Sequence, residues 1–209
     1  MTNTKDLQRH PEDDRIVVIN SMEDFHLWER RFELDFSGLL LHDALPEEEL
    51  KLISDDISRL FKASPRPPID KHNRFYHPDS NLEENLKKIG YSDLTVERVM
   101  QCSKLLQDIN SGMSDSIFLR TNCDWPKKPH THGTTLGMAF SGAGTVMVKD
   151  SFQFTAEEQR DKKTITSRPT AEDVYSLSVN DLVVFEGIWH YAPPLKGDEN
   201  EAPRTNLII

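Results

Sequence analysis

The spacing of hydrophobic positions changes near residue 112, from helical periods before it to short strand-like runs after it. Residues 15–19 predict a strand, and 21–32 a helix capped by Ser21 or Asn20. Pro46 stands where a first helical residue would, and Glu47, Glu48 and Glu49 suit the positive end of the helix that follows. Leu50, Ile53, Ile57, Leu60 and Phe61 extend that helix until Pro65. Pro65, Pro67, Pro68 and Pro78 then mark 64–79 as an extended linker. Two more helices are predicted. One covers 80–89 and closes at Gly90; the other covers 95–109, with Val96, Val99, Met100, Leu106 and Ile109 on one face.

Beyond Gly112 strands are expected over 116–123, 134–141, 145–151, 174–178, 181–186 and 204–209. Ser141-Gly142-Ala143-Gly144 reads as a hairpin turn between the second and third, and 156–168 as an exposed loop. The predicted class is α+β, a helical N-terminal half packed on a C-terminal barrel. The expected divisions are a disordered tail over 1–14, a mainly helical support region over 15–112 and the barrel over 113–209, forming one unit. The helical half is left open as a cap on the barrel or as a homodimer interface.

Composition narrows the function. A net charge of −10 weighs against nucleic acid or an anionic membrane as partner. No apolar run approaches the roughly 20 residues of a membrane span, and the polar start lacks a signal peptide's apolar stretch, so a cytoplasmic location is expected. A hydrophobic fraction of 36% predicts long loops. Cys102 and Cys123 read as reduced, buried thiols.

Five of the eight histidines, His10, His26, His42, His72 and His77, occur singly and read as surface or core residues. Pro129-His130-Thr131-His132-Gly133 differs. On extended backbone, residues two apart share a face, so two imidazoles converge without long-range folding. Neutral imidazole suits zinc, iron, copper and nickel. A third histidine, His190, follows an apolar strand and a glycine turn, and Arg204 opens the last strand 14 residues later. Lys127 and Lys128 lie near the same histidine pair and hint at an acidic substrate.

In this order the residues resemble the double-stranded β-helix superfamily, which holds the cupins and the iron- and 2-oxoglutarate-dependent oxygenases. The resemblance covers roughly 116–209. His130 matches the first ligand of either group, and His190 the distal histidine of both. His132 matches the second histidine of a cupin or stands where an oxygenase has aspartate. Asn180 replaces the glycine of the oxygenases' glycine-aspartate segment, and Asn206 the serine of their arginine-x-serine stretch, whose arginine is Arg204. There is a looser likeness to an uncharacterised bacterial His-x-Asp family, through Gly142-Ala143-Gly144-Thr145 and His190-Tyr191-Ala192-Pro193.

The resemblance implies a cupin-like barrel with a metal on His130, His132 and His190. Leu136 sits where many cupins place a glutamate, so the ligand set resembles the three-histidine iron enzymes; Glu186, Asp150 and Asp124 remain other sources of an anionic ligand. The implied activity is a mononuclear non-haem Fe(II) oxygenase. Its substrate would be a small carboxylate-bearing or thiol molecule, or it would use 2-oxoglutarate, held by Arg204 and Asn206. Arg204 or Arg120 would hold a carboxylate, and Tyr191 would donate a hydrogen bond to bound oxygen. The alternative is a zinc-binding or sensing protein without turnover.

Overall fold

The computed structural model describes residues 7–63, 73–76, 82–109, 116–121, 128–131, 133–160, 165–193 and 205–208. Eleven strands among them form two sheets: β1 (Arg9–His10), β2 (Asp13–Ile19), β3 (Gly38–Leu41), β4 (Asn73–Tyr76), β5 (Ser116–Thr121), β6 (Thr135–Ser141), β7 (Val146–Val148), β8 (Val174–Ser176), β9 (Leu182–Phe185), β10 (His190–Tyr191) and β11 (Thr205–Ile208). The larger sheet runs β1-β2-β3-β9-β6-β11-β5-β4, and the smaller runs β10-β7-β8. All the pairings are antiparallel except β2 with β3.

Alternation along the strands separates three apolar layers. Leu39, Leu41, Leu136, Met138, Phe140, Leu182 and Val184 leave one face of the large sheet. They meet Phe25 and Trp28 of a 3-10 segment, Ile53 and Ile57 of α2 (Glu47–Ala63), Leu86 of α3 (Leu82–Ile89), and Val96, Val99 and Leu106 of α4 (Asp93–Ile109). The opposite face supplies Ile16, Leu40, Val183 and Phe185, which pack on Met147, Tyr175, Leu177 and Ile188 between the two sheets. A third cluster, Val148, Phe154 and Ile165, covers the outer face of the small sheet. Each buried Leu, Ile or Phe stabilises by roughly 1.5–3 kcal/mol. The helix-side layer is the largest of the three, so it carries most of the apolar stabilisation among the described residues.

Several expectations are corrected. The tail expected over 1–14 is ordered within its described part: β1 pairs with β2, and Arg9 donates to the carbonyls of Asp14, Leu34 and Asp35. The 15–112 region is not only helical. It gives β2, β3 and β4 to the large sheet, so the barrel is not built from the C-terminal half alone. The helix expected over 21–32 is a 3-10 segment, Met22–Arg30, followed by the single turn α1 (Arg31–Leu34). Part of the proline-rich stretch forms β4 on β5.

Residues 141–144 make no hairpin. β6 pairs with β9 and β11, whereas β7 pairs with β10 and β8, so this turn carries the chain from one sheet to the other. Glycine is needed there because a Cβ on Gly144 would lie 2.0 Å from the Leu177 carbonyl oxygen. The expected loop over 156–168 contains α5 (Ala156–Arg160), in which Glu158 is buried.

Candidate metal centre

Pro129, His130 and Thr131 approach β6, and Gly187–Trp189 lead into β10. His130 and His190 exchange both backbone hydrogen bonds, at 3.0 Å and 2.9 Å, as an isolated antiparallel bridge. Their rings therefore stand side by side, with centroids 4.3 Å apart and planes at 51°. Each ring is also fixed by the carbonyl two residues earlier. His190 Nδ1 lies 2.9 Å from the Ile188 oxygen, and His130 Nδ1 lies 3.2 Å from the Lys128 oxygen. A carbonyl can only accept, so each Nδ1 is the donor of its contact, and in the neutral ring Nε2 is then the nitrogen with a lone pair for a metal.

The surroundings differ on the two sides. His190 is buried, and Phe185 meets its ring at 75° with centroids 4.8 Å apart. His130 is half-buried, beside the exposed Lys128. Met147 stands opposite His190 in the β7–β10 ladder, and Tyr175 opposite Met147 in the β7–β8 ladder. The second imidazole is thus held against the apolar interior, and the first lies nearer solvent.

The predicted residues fare unequally. His130 and His190 come together. His132 and Arg204 lie outside the described residues, as do Asp124, Cys123, Lys127, His72 and His77. Among the described residues no group of three or more His, Cys, Asp or Glu is placed to hold a metal. The two imidazoles suit one ion by their donor chemistry, since neutral imidazole nitrogen is a ligand for zinc, iron, copper and nickel. Arg120 and Asn206 are described through their backbone alone: Asn206 of β11 stands opposite Arg120 of β5 and Ala139 of β6, in one row across three strands.

Tyr191 is not beside the pair of rings. As His190's neighbour on a strand it takes the other face, where it packs against Val148, Phe154 and Ile165. The role of donating to bound oxygen is corrected accordingly. Glu186 is engaged by Arg31 at 3.1 Å and Asp150 by Arg15 at 3.1 Å, so neither is placed to add the anionic ligand. The other described histidines have structural partners. His10 stacks on Tyr175, His26 bonds the Glu23 carbonyl, and His42 bonds Asp181 at 2.7 Å.

The carbonyls of Lys128 and Ile188 leave no trace in side-chain identity, whereas Asn180 stands out in the sequence. This residue has φ of 72°, the left-handed region open to glycine and, among other residues, favoured by asparagine. Its amide is buried and bonds both backbone groups of Leu45, while Asp181 accepts from the Ser178 N–H.

No protein-family model matches the chain, and no curated protein matches it by sequence. Solved structures do. AviO1 from Streptomyces viridochromogenes Tue57 is 14% identical with a TM-score of 0.50, over 82% of this chain and 87% of its own. HygX from Streptomyces hygroscopicus, with nickel and 2-oxoglutarate bound, is 11% identical with a TM-score of 0.49, over 86% and 84%. The non-heme alpha ketoglutarate dependent epimerase SnoN from nogalamycin biosynthesis is 13% identical with a TM-score of 0.48, over 89% and 82%. At these identities the likeness to AviO1 concerns the fold alone. With the two facing sheets, it gives this chain the double-stranded β-helix fold. Among the described residues no helix is long and apolar enough to cross a membrane.

Proposed function

We propose that the chain is a mononuclear non-haem Fe(II) oxygenase that takes 2-oxoglutarate, with the metal on His130, His132 and His190. The observation carrying this reading is the bridged His130–His190 pair, with each Nδ1 turned to a carbonyl. Iron bound there would supply the oxygen and one-electron chemistry that no side chain provides. The protein's part is to hold and orient. His190 packs on Phe185 in a buried wall, and His130 stands at the more open side. Arg204 and Asn206 are proposed to take the distal carboxylate of 2-oxoglutarate, because a guanidinium binds a carboxylate through two parallel hydrogen bonds. HygX and SnoN are described with the same keto acid. Arg120, opposite Asn206 in the sheet, is assigned to the carboxylate of the small-molecule substrate.

The test is oxygen uptake by protein loaded with Fe(II) without air. The expected outcome is uptake that requires 2-oxoglutarate and is lost in His130→Ala, His132→Ala and His190→Ala. Tight stoichiometric zinc with no uptake would overturn the oxygenase reading in favour of a zinc-binding protein without turnover.

A further inference from the structure

His190 sits on a strand of only two residues, and so short a strand is marginal by itself. Its flanking residues point to the other face of the small sheet, and there they are gripped. Trp189 stacks on Phe154 with ring centroids 4.2 Å apart and planes at 30°. The Trp189 carbonyl accepts from Val148 N–H at 2.8 Å. Tyr191 joins the same cluster with Val148, Phe154 and Ile165.

The residues that follow Phe154 and Ile165 meet on one buried carboxylate, Glu158. Glu158 is 3% exposed, and its described partners are all hydroxyls and backbone N–H groups. Oε2 accepts from Thr155 N–H and Oγ1, both at 3.0 Å, and from Ser167 Oγ at 2.6 Å. Oε1 accepts from Thr166 N–H at 2.7 Å, Thr166 Oγ1 at 2.9 Å and Ser167 N–H at 2.6 Å. Thr155 Oγ1 accepts in turn from Glu158 N–H at 3.2 Å, which closes a reciprocal cap on α5. The bonds from Ser167, above all, hold this carboxyl well below the usual carboxylate range. It is a buried anion used as a knot, tying the residue after Phe154 to those after Ile165.

We propose that Glu158 is a positioning residue for His190, acting through Phe154 and Trp189. The proposal rests on the metal reading of His190 given above. Glu158→Gln puts an amide donor among six donors, so the knot opens although size is kept. Phe154 then loses its seat, and the backbone that sets the His190 ring loosens from behind.

Cobalt(II) tests this without turnover, through chelator competition for affinity and visible absorption for ligand geometry. Wild type is compared with Glu158→Gln, Phe154→Leu and, as a destabilised control far from the small sheet, Asp56→Asn. Glu158→Gln and Phe154→Leu are each expected to weaken cobalt binding about tenfold or more and to alter the spectrum. Asp56→Asn is expected to lower Tm and change neither. Wild-type affinity and spectrum in a folded Glu158→Gln overturn the proposal, as does an equal loss in Asp56→Asn. If Glu158→Gln does not fold, Phe154→Leu decides alone by the same criterion. A wild-type protein that takes up no cobalt overturns the metal reading itself, and this proposal with it.

Discussion

Phe185 and His190 meet nearly at right angles, so one ring of the bridged pair is held by a side chain of the barrel core. Phe185→Leu keeps much of the volume but removes the aromatic contact, with an expected cost of about 1–2 kcal/mol. Phe185→Ala is expected to cost about 3–5 kcal/mol. Urea denaturation measures both. Metal affinity should fall in step with the lost contact, more in the alanine variant than in the leucine one.

Metal bound to the folded chain alone should stabilise it by mass action, by about 2.7 kcal/mol at a hundredfold excess over Kd. Adding Fe(II) or Zn(II) is therefore expected to raise the Tm of wild type, and a chelator to reverse the rise. His130→Ala and His190→Ala should show no such response. An unchanged wild-type Tm across the titration would count against the site.

Asp56 couples α2 to the start of α4. It accepts from Ser92 N–H and Thr95 Oγ1, both at 2.8 Å, and from Arg59 at 2.6 Å. Burial pushes its carboxyl up, but these bonds outweigh it and leave the group below its ordinary value of 3.8. A carboxyl depressed in the folded state contributes stability above the unfolded pKa and loses it as pH falls through the folded one. The contribution should thus be complete above about pH 5 and fade below about pH 4. Asp56→Asn is expected to cost about 1–3 kcal/mol at pH 7 and to flatten the acid limb of the stability curve.

Gly144→Ala places a methyl against the Leu177 carbonyl, so the crossing between the sheets must shift. A loss of at least 2–3 kcal/mol is expected, roughly that of a strongly strained core substitution. Gly133→Ala is the control, since a Cβ there meets no described atom within 4 Å. Thermal melts of the two variants should separate clearly.

Cys102 is buried, and burial pushes its thiol up to about 12. The thiolate is the reactive form, so Cys102 should stay unmodified by iodoacetamide at pH 8 in the folded protein. Peptide mapping after labelling, with and without urea, reads this directly.

The strands of the C-terminal half were legible in the sequence because they depend on local period, whereas His190 was joined to His130 only by its order in the chain and the likeness to double-stranded β-helix proteins. Other features were hidden for physical reasons. Gly38–Leu41 is buried on both faces, so it lacks the alternation that marks a half-exposed strand. Asn73–Tyr76 is masked by the prolines around it. The turn at 141–144 has hairpin chemistry, yet pairing partners are set by distant strands. Tyr191 next to His190 invited a shared role, which the two-residue period of a strand forbids. Glu158 looked like surface charge among charges. Its signal was Thr155 three residues earlier, the pattern of a helix cap.

The place of β11 has a consequence for how the chain reaches this fold. Thr205–Ile208 lies between β6 and β5, so among the described strands the β4–β5 pair joins the rest of the large sheet only through it. The large sheet is therefore continuous only once this segment, distant in sequence from β4 and β5, has taken its place between β6 and β5. Such sequence-distant pairing slows folding and exposes edges to aggregation while the chain waits.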